Sequence, residues 1–126
     1  MSLSNTFETT TLEWLFTTTS VTRPTAWYLA LYTVAPSDTG GGTECSGTSY
    51  ARQSFTMTVS GNTATNGANI EFPTAGSSWG TIVAVGVFDA LTSGNLIAYG
   101  NLTTSKTIDT GDVFRIPAGD LDITLD

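Results

Sequence analysis

The sequence contains no histidine and has a single cysteine, Cys45, among its 126 residues. Without histidine, a Ser-His-Asp or Cys-His nucleophilic site is excluded, and the commonest ligand of transition metals is missing. One cysteine cannot form an internal disulfide. We interpret Cys45 as a small residue of a Gly/Thr loop, with an intermolecular disulfide or contact at an oligomer axis as the alternative. The sequence therefore predicts a non-enzymatic chain with no catalytic residue, no cofactor and no metal site.

Positive charge is also scarce, because 4 Lys and Arg stand against 11 Asp and Glu, for a net charge of −7. Such a surface lacks the attraction that supplies most non-specific affinity for nucleic acid, so DNA and RNA are excluded as partners. The longest apolar run, residues 82–88, is far shorter than the roughly 20 residues that cross a bilayer. The N-terminus lacks a basic and then apolar secretory pattern. We expect a soluble protein made in the cytoplasm, with no membrane partner.

Apolar residues and threonine are abundant. The chain is 40% hydrophobic and only 12% charged, with threonine runs at residues 9–11 and 17–19. A β-branched hydroxyl side chain suits a half-exposed pleated face better than a helix. The length fits one domain with one core. We predict a single mostly β domain, residues 1–126, with an N-terminal helix or arm at 1–24 and a long glycine-rich loop at 36–52.

One short helix is predicted between Ser4 and Phe16. Ser4 or Asn5 can cap its start, and Glu8 is favourable in a first helical turn. The threonines at residues 9–11 lower the helix propensity, so tertiary packing has to hold the segment. The side chains expected to provide this packing are Phe7, Leu12, Leu15 and Phe16.

The rest of the chain has the pattern of short strands. Large apolar or aromatic groups on both faces of residues 26–32 predict a central strand that is buried on two sides. Further strands are predicted at residues 52–59, 68–72, 79–88, 96–100, 113–116 and 121–125, of which 79–88 and 96–100 form a central hairpin and the last two form another. About seven or eight strands, with a turn about every 8–12 residues, predict an antiparallel β-sandwich or jelly roll.

Three motifs resemble functional sites but are better explained by structure. Residues 76–80 match G-x-S-x-G, yet this motif needs a strand-to-helix turn and a histidine base, so we interpret them as a loop. Residues 40–42 are three glycines without a following Lys-Ser or Lys-Thr, which indicates a flexible loop tip and not a phosphate-binding loop. Two acidic pairs are interpreted as solvated or turn-capping groups, with a weak calcium site as the alternative; they are Asp109 with Asp112 and Asp120 with Asp122.

The order of several short motifs resembles a known family. Residues 27–38 read Trp-Tyr-Leu-Ala-Leu-Tyr-Thr-Val-Ala-Pro-Ser-Asp, and residues 40–44 and 47–52 read Gly-Gly-Gly-Thr-Glu and Gly-Thr-Ser-Tyr-Ala-Arg. Ile-Glu-Phe-Pro-Thr-Ala at 70–75, Trp-Gly-Thr at 79–81, Val-Gly-Val-Phe-Asp at 85–89 and Ser-Gly-Asn-Leu at 93–96 follow. Together they resemble the short virion proteins of tailed bacteriophages that are described as tail-fibre or head-decoration proteins. The resemblance spans nearly the whole chain, and it implies a virion location, self-assembly and no enzymatic activity.

The leading hypothesis is a capsid decoration or cement protein that forms homotrimers and binds the shell of major capsid protein. The main alternative is a tail-fibre, tail-tip or baseplate-associated structural or adhesion subunit with tail proteins as partners. Two further alternatives are a glycan-binding module, with Trp14, Trp27, Tyr50 or Trp79 as an exposed platform, and a small glycosidase, for which no spacing selects a carboxylate pair. The chain would be made in the host cytoplasm and assembled into the particle.

We expect the N-terminal segment and the glycine-rich loop to carry the contacts between subunits, while residues 79–88 form core. The predicted interface residues are Phe7, Leu15, Phe16, Pro36, Asp38, Gly40, Gly41, Gly42, Glu44, Tyr50 and Arg52.

Overall fold

A computed structural model describes residues 1–125. It contains one α-helix and eleven strands: β1 (Ser2–Leu3), α1 (Asn5–Phe16), β2 (Tyr28–Val34), β3 (Thr43–Glu44), β4 (Gln53–Ser54), β5 (Met57–Ser60), β6 (Thr63–Asn66), β7 (Ile70–Glu71), β8 (Gly80–Phe88), β9 (Leu96–Ile108), β10 (Arg115–Ile116) and β11 (Asp122–Thr124). The one helix is too short to cross a membrane.

The predicted helix is confirmed, and Ser4 fixes its start. The Ser4 hydroxyl accepts a bond from the backbone N–H of Phe7 at 3.4 Å, as an N-cap residue does. The same hydroxyl donates to the carbonyl oxygen of Leu96 at 2.6 Å, and the Ser4 backbone N–H donates to the carbonyl oxygen of Ile97 at 2.8 Å. Ser4 is buried, so a single residue both begins the helix and attaches it to β9.

The largest sheet has the strand order β1-β9-β8-β2-β3, with β4 also paired to β2. β2 lies between β8 on one side and the two short strands on the other, and four consecutive residues, 29–32, are buried. The prediction of a central strand that is buried twice is therefore confirmed, although the strand begins at Tyr28. The predicted central hairpin is confirmed as well, since β8 pairs antiparallel with β9.

A second layer consists of a three-stranded sheet, β11-β6-β5, and a two-stranded sheet, β10-β7. The main core lies between these strands and one face of the large sheet, and it includes Leu29, Leu31, Phe72, Ile82 and Phe114. A smaller cluster covers the other face of the large sheet and contains Ala30, Tyr32, Ala84 and Phe88. The predicted mostly β, antiparallel sandwich with a short helix is confirmed; the specific jelly-roll arrangement stays a prediction.

The predicted C-terminal hairpin is wrong. β10 pairs with β7, and β11 pairs with β6, instead of with each other. The buried side chain of Asn66 explains the divergence: its amide donates to the carbonyl oxygens of Ala68 and Pro117, each at 2.9 Å, and its carbonyl oxygen accepts from the N–H of Leu121 at 2.9 Å. These bonds tie the chain at both ends of the connecting turn to β6, so the two strands leave the turn toward different partners.

Two other strands differ from prediction in length. Residues 52–59 form two strands, because β4 pairs in the large sheet and β5 in the small one, and Val59 in β5 is 75% exposed. β9 extends to Ile108 instead of ending at residue 100. Its register against β8 shifts between the pairs Ile82 with Lys106 and Ala84 with Asn101. Residues 102–105 therefore form a bulge in β9. The bulge interrupts the regular alternation of the strand, so the sequence pattern does not indicate its full length.

Candidate interaction surfaces

The glycine-rich segment 36–52 turns back immediately after β2. Ser37 and Gly40 exchange two backbone hydrogen bonds of 2.9 Å each and close a tight turn. Gly42 has a φ of +72°, and a Cβ here would lie 2.5 Å from the carbonyl oxygen of Val34, so the position requires glycine. β3 then pairs with the end of β2. The glycine-rich loop predicted at 36–52 therefore contains a short strand, because these glycines let the chain reverse and follow the sheet.

Arg52 and Glu44, two predicted interface residues, form an ion pair inside the chain. The Arg52 Nε donates to Glu44 Oε2 at 3.0 Å, and Nη2 donates to Oε1 at 2.8 Å. This two-pronged geometry is among the strongest in proteins. The Arg52 side chain is 7% exposed and that of Glu44 is 28% exposed. Burial opposes the charge of Arg52, but the hydrogen bonds and the negative charge of Glu44 raise its pKa.

The remaining nitrogen of Arg52 reaches a different loop. Nη1 donates to the carbonyl oxygens of Ala90 and Ser93, at 2.9 and 2.8 Å. The guanidinium carbon also lies 3.7 Å from the centre of the Phe88 ring, within the range of a cation–π contact. Arg52 therefore joins three parts of the chain: the glycine-rich segment, the end of β8 and the turn between β8 and β9.

Tyr50, a third predicted interface residue, belongs to the same network. Its hydroxyl donates to Glu44 Oε2 at 2.8 Å and accepts from the backbone N–H of Leu31 at 3.1 Å. Its ring stacks on Phe72, with centroids 6.1 Å apart, and meets the edge of Trp79 at 5.4 Å. Burial, together with the hydrogen bond to Glu44, raises the pKa of Tyr50 far above its ordinary value. The side chain closes the core instead of facing outward.

The predicted positions at the start of the segment lie beside the helix. They are Pro36, which is buried, Gly40, which is half-buried, and Asp38 and Gly41, which are exposed. The Asp38 carbonyl oxygen accepts from the N–H of Asn5 at 2.9 Å, and its carboxylate accepts from the hydroxyl of Tyr99. That hydrogen bond raises the pKa of Tyr99. The glycine-rich turn and the beginning of α1 are thus adjacent, although they were predicted separately as contact regions. Both line a shallow groove of about 360 Å³.

Cys45 lies directly after β3 and is 4% exposed. Its thiol points toward the carbonyl oxygen of Trp79, 3.6 Å away. Burial, with a smaller contribution from the charge of Glu44, raises the pKa of Cys45 to about 11. The interpretation as a small loop residue holds, and the thiol is too covered to reach a second chain without local opening.

The C-terminal part of α1 exposes four large apolar side chains, which we call the α1 tip. The exposed fractions are 58% for Leu12, 68% for Trp14, 55% for Leu15 and 77% for Phe16. The prediction that Leu12, Leu15 and Phe16 pack on the body is wrong. Only Phe7 of the predicted packing residues meets the core, where it is half-buried. The helix is attached by its first turn, so its second half extends away from the sheet.

A groove of about 420 Å³ separates α1 from residues 21–24, and Phe7, Trp14, Val21 and Pro24 form its apolar part. Trp14 is the only one of the four aromatic residues proposed as a glycan platform that is exposed: Trp27 and Tyr50 are half-buried and Trp79 is buried. These residues do not form one exposed platform. The sequence signal for the α1 tip was present in residues 12–16, where Glu13 is the one polar residue.

The other motifs have structural roles in the part of the chain that the structure describes. Residues 76–79 form a loop before β8, in which the hydroxyl of Ser77 accepts from the N–H of Thr48 at 2.9 Å. The carboxylate of Asp112 accepts from the N–H of Asp109 at 2.9 Å, as a turn-capping group does. No cluster of three metal-ligating side chains occurs among residues 1–125.

One of the comparisons with known proteins identifies the family of the chain. A search among curated proteins gives no match. The family model described as Podophage GP4 fiber I protein gp80 matches residues 2–124, almost the entire chain. The chain therefore belongs to the Podophage GP4 fiber I protein gp80 family of tailed-phage virion proteins, and it is a structural protein of a phage particle.

Proposed function

We propose that the chain is a fibre subunit of a tailed-phage virion, a tail-fibre-type structural protein. The observation that carries this proposal is the family match over residues 2–124, whose description is that of a fibre protein. It favours the fibre alternative over the capsid decoration that was the leading hypothesis from sequence. A fibre role is structural, which agrees with the expected lack of enzymatic activity.

The surface of the chain supports the same proposal. Segment 36–52 and the two-layer core form one unit. Within segment 36–52, Arg52 is the one cation of the described residues that lies at salt-bridge distance from a carboxylate, that of Glu44. An exposed apolar patch at the α1 tip is the kind of surface that a building block of a larger assembly presents. The rest of the surface is rich in threonine hydroxyls, which suits a protein that is exposed on a particle.

The oligomeric state is part of this proposal. Fibre subunits act as assemblies, and we expect a homotrimer. The mass in solution, measured by light scattering on a size-exclusion column, is expected to be three times the 13.2 kDa of one chain. A monomer at every concentration would remove the trimer from the proposal without affecting the fibre role.

The deciding experiment is the copy number of this chain in purified virions, measured by quantitative peptide mass spectrometry against the major capsid protein. A fibre subunit is expected in a few to a few dozen copies per particle, labelled by a specific antibody at the tail in electron micrographs. A ratio near one copy per capsid protein, with label over the head, would restore the capsid decoration hypothesis. The absence of the chain from the particle would refute both.

A further inference from the structure

A cleft separates α1 from residues 20–25, which lie between the helix and β2. It consists of two adjoining grooves of about 420 and 450 Å³, which are continuous because Val21, Arg23 and Pro24 line both of them. Each groove has the size of a small-molecule site, about 300–1,000 Å³. Of the four residues of the α1 tip, Trp14 alone lines the cleft.

The apolar end of the cleft has an exposed indole. Phe7, Trp14, Val21 and Pro24 form this end. Trp14 is 68% exposed, whereas the other three side chains are half-buried. An indole combines a large apolar face with one N–H donor. This end therefore suits a ligand that presents an apolar face next to polar groups.

The other end of the cleft is polar and has charges of both signs. Glu13, Arg23, Asp89 and Asn95 line it. Burial opposes the charge of Asp89, but hydrogen bonds of 2.7 and 2.9 Å from Asn95 lower its pKa. Asp89 is thus already bound within the chain. Glu13 and Arg23 are free, because neither lies at salt-bridge distance from an opposite charge among residues 1–125.

The wall opposite the helix offers further hydrogen-bonding groups. The backbone groups of residues 20–25 form no hydrogen bonds with other backbone groups in the described chain, and the segment also has the hydroxyls of Ser20, Thr22 and Thr25. The free charges of Glu13 and Arg23 cancel, so together they favour neither an anion nor a cation. Donors and acceptors of this kind suit an uncharged polar ligand.

A sugar ring has this combination of properties. Its C–H face is apolar and packs against an aromatic ring, and its hydroxyl groups both donate and accept hydrogen bonds. The carboxylate of Glu13 accepts from hydroxyls, and the guanidinium of Arg23 donates to oxygen atoms. A purely apolar ligand would leave both groups without partners, and a simple ion would leave the indole of Trp14 unused. The chemistry of the cleft therefore favours an uncharged saccharide.

We propose that the cleft between α1 and residues 20–25 binds an uncharged saccharide of the host-cell envelope. Trp14 packs against the face of one sugar ring, while Glu13 and Arg23 bond to hydroxyl groups of the saccharide. The proposal rests on the fibre role, because a fibre subunit is exposed on the particle and meets the envelope of the cell.

The test is calorimetric titration of the full-length chain with neutral oligosaccharides released from the host-cell envelope. Trp14→Ala is expected to bind about 30-fold more weakly, as the loss of a central aromatic contact does. Trp14→Phe keeps an aromatic ring and is expected to lose much less. Phe16→Ala is the matched control and is expected to bind unchanged, because Phe16 is 77% exposed on the same helix but does not line the cleft.

Two substitutions test the polar end separately. Glu13→Gln and Arg23→Gln each remove the charge of a free group, and each is expected to weaken binding about tenfold. Arg115→Gln, at an exposed position outside the cleft, is the control. Binding of an uncharged ligand is expected to be the same in low and high salt. Thermal unfolding checks that each variant is folded, since none of the replaced side chains is buried in the core.

Three results would overturn the proposal. The first is a lack of binding by the neutral oligosaccharides at millimolar concentrations. The second is undiminished binding by Trp14→Ala, or an equal loss for Phe16→Ala, because the contact is then not made in the cleft. The third is tighter binding by Glu13→Gln or Arg23→Gln, since the ligand then has a charge of its own.

The saccharide site and the fibre role fail in different ways. If virions contain the chain at tail positions but the purified chain binds no neutral oligosaccharide, only the saccharide site is wrong. If virions lack the chain, the fibre role itself is wrong. The titrations use the purified chain, so they decide the site independently of the copy number in the particle.

Discussion

Replacing Arg52 with alanine should destabilise the chain more than any change at the other three cations. Arg52 is 8% exposed and is bound to Glu44, to two backbone carbonyl oxygens and to the face of Phe88. The substitution removes all of these contacts at once and leaves the Glu44 carboxylate without its cation. The turn between β8 and β9 also loses its attachment to the glycine-rich segment.

The expected cost follows from the burial of the two partners. Breaking a buried ion pair from one side costs about 3–5 kcal/mol. Glu44 is 28% exposed, so water can hydrate the carboxylate that remains, and this contribution falls to the lower end of that range. The two lost bonds to carbonyl oxygens and the lost contact with the ring each add about 1 kcal/mol. The sum is about 6 kcal/mol, against a total stability of about 5–15 kcal/mol for a domain.

Urea unfolding, monitored by tryptophan fluorescence, measures this loss, because Trp79 is buried beside Tyr50. With a slope of about 1–3 kcal/mol per molar urea, a cost of about 6 kcal/mol lowers the midpoint by about 2–6 M. Arg52→Lys keeps the charge but not the two-pronged geometry, and we expect about half of the loss. Arg115→Ala is the control, since Arg115 is exposed, with an expected cost below about 0.5 kcal/mol.

A loss below about 1 kcal/mol for Arg52→Ala would refute the reasoning, because the pair would then behave as an exposed one. The salt dependence gives a second check. A buried pair is screened very little, so the difference between Arg52→Ala and the natural chain should be the same in low and high salt. A difference that disappears in high salt would show that water reaches the guanidinium.

Three further predictions concern the core and the glycine-rich segment. Burial raises the pKa of Cys45 from 9.0 to about 11. Its neutral thiol therefore contributes stability that is fully present below pH 9 and is lost as the pH rises through about 11. Between about pH 9 and pH 11, Cys45→Ala should lose less of its free energy of unfolding than the natural chain. Gly42→Ala should cost about 2 kcal/mol more than Gly41→Ala in urea unfolding, because both have positive φ but only Gly42 lies against backbone. Asn66→Ala should cost about 3 kcal/mol in thermal unfolding, since three buried hydrogen bonds are lost. The exposed Asn101 is its control, and Asn101→Ala should cost almost nothing. Equal losses for Gly42→Ala and Gly41→Ala, or for Asn66→Ala and Asn101→Ala, would contradict the structure.

Local patterns in the sequence were enough to predict several elements. Ser4 in front of an acidic first turn marked the start of α1, and the apolar run at residues 82–88 marked the core of β8. The aromatic and apolar residues on both faces of β2 indicated its central position. In each case the signal lies within a few residues of the element, and the backbone preference and the burial of that segment point to the same structure.

Pairing between distant segments could not be predicted in this way. β10 and β11 are separated by one tight turn, and a hairpin is the simplest expectation for such a sequence. The actual partners, β7 and β6, are selected by the side chain of Asn66. This side chain bonds to Pro117 and Leu121, which lie 51 and 55 positions later in the sequence. A single polar residue next to a glycine gives no sequence signal that its amide will be buried and fully bonded.

The predicted interface residues show a second limit of prediction from sequence. Glu44 and Arg52 were predicted as contact residues because they lie in the glycine-rich loop, but in the structure each is the charged partner of the other. Leu15 and Phe16 looked suitable both for internal packing and for contacts with a partner. Both side chains are more than half exposed, so the fold of the described residues does not bury them. In a chain with so few charges, the side chains left for assembly are the apolar ones that the fold does not use.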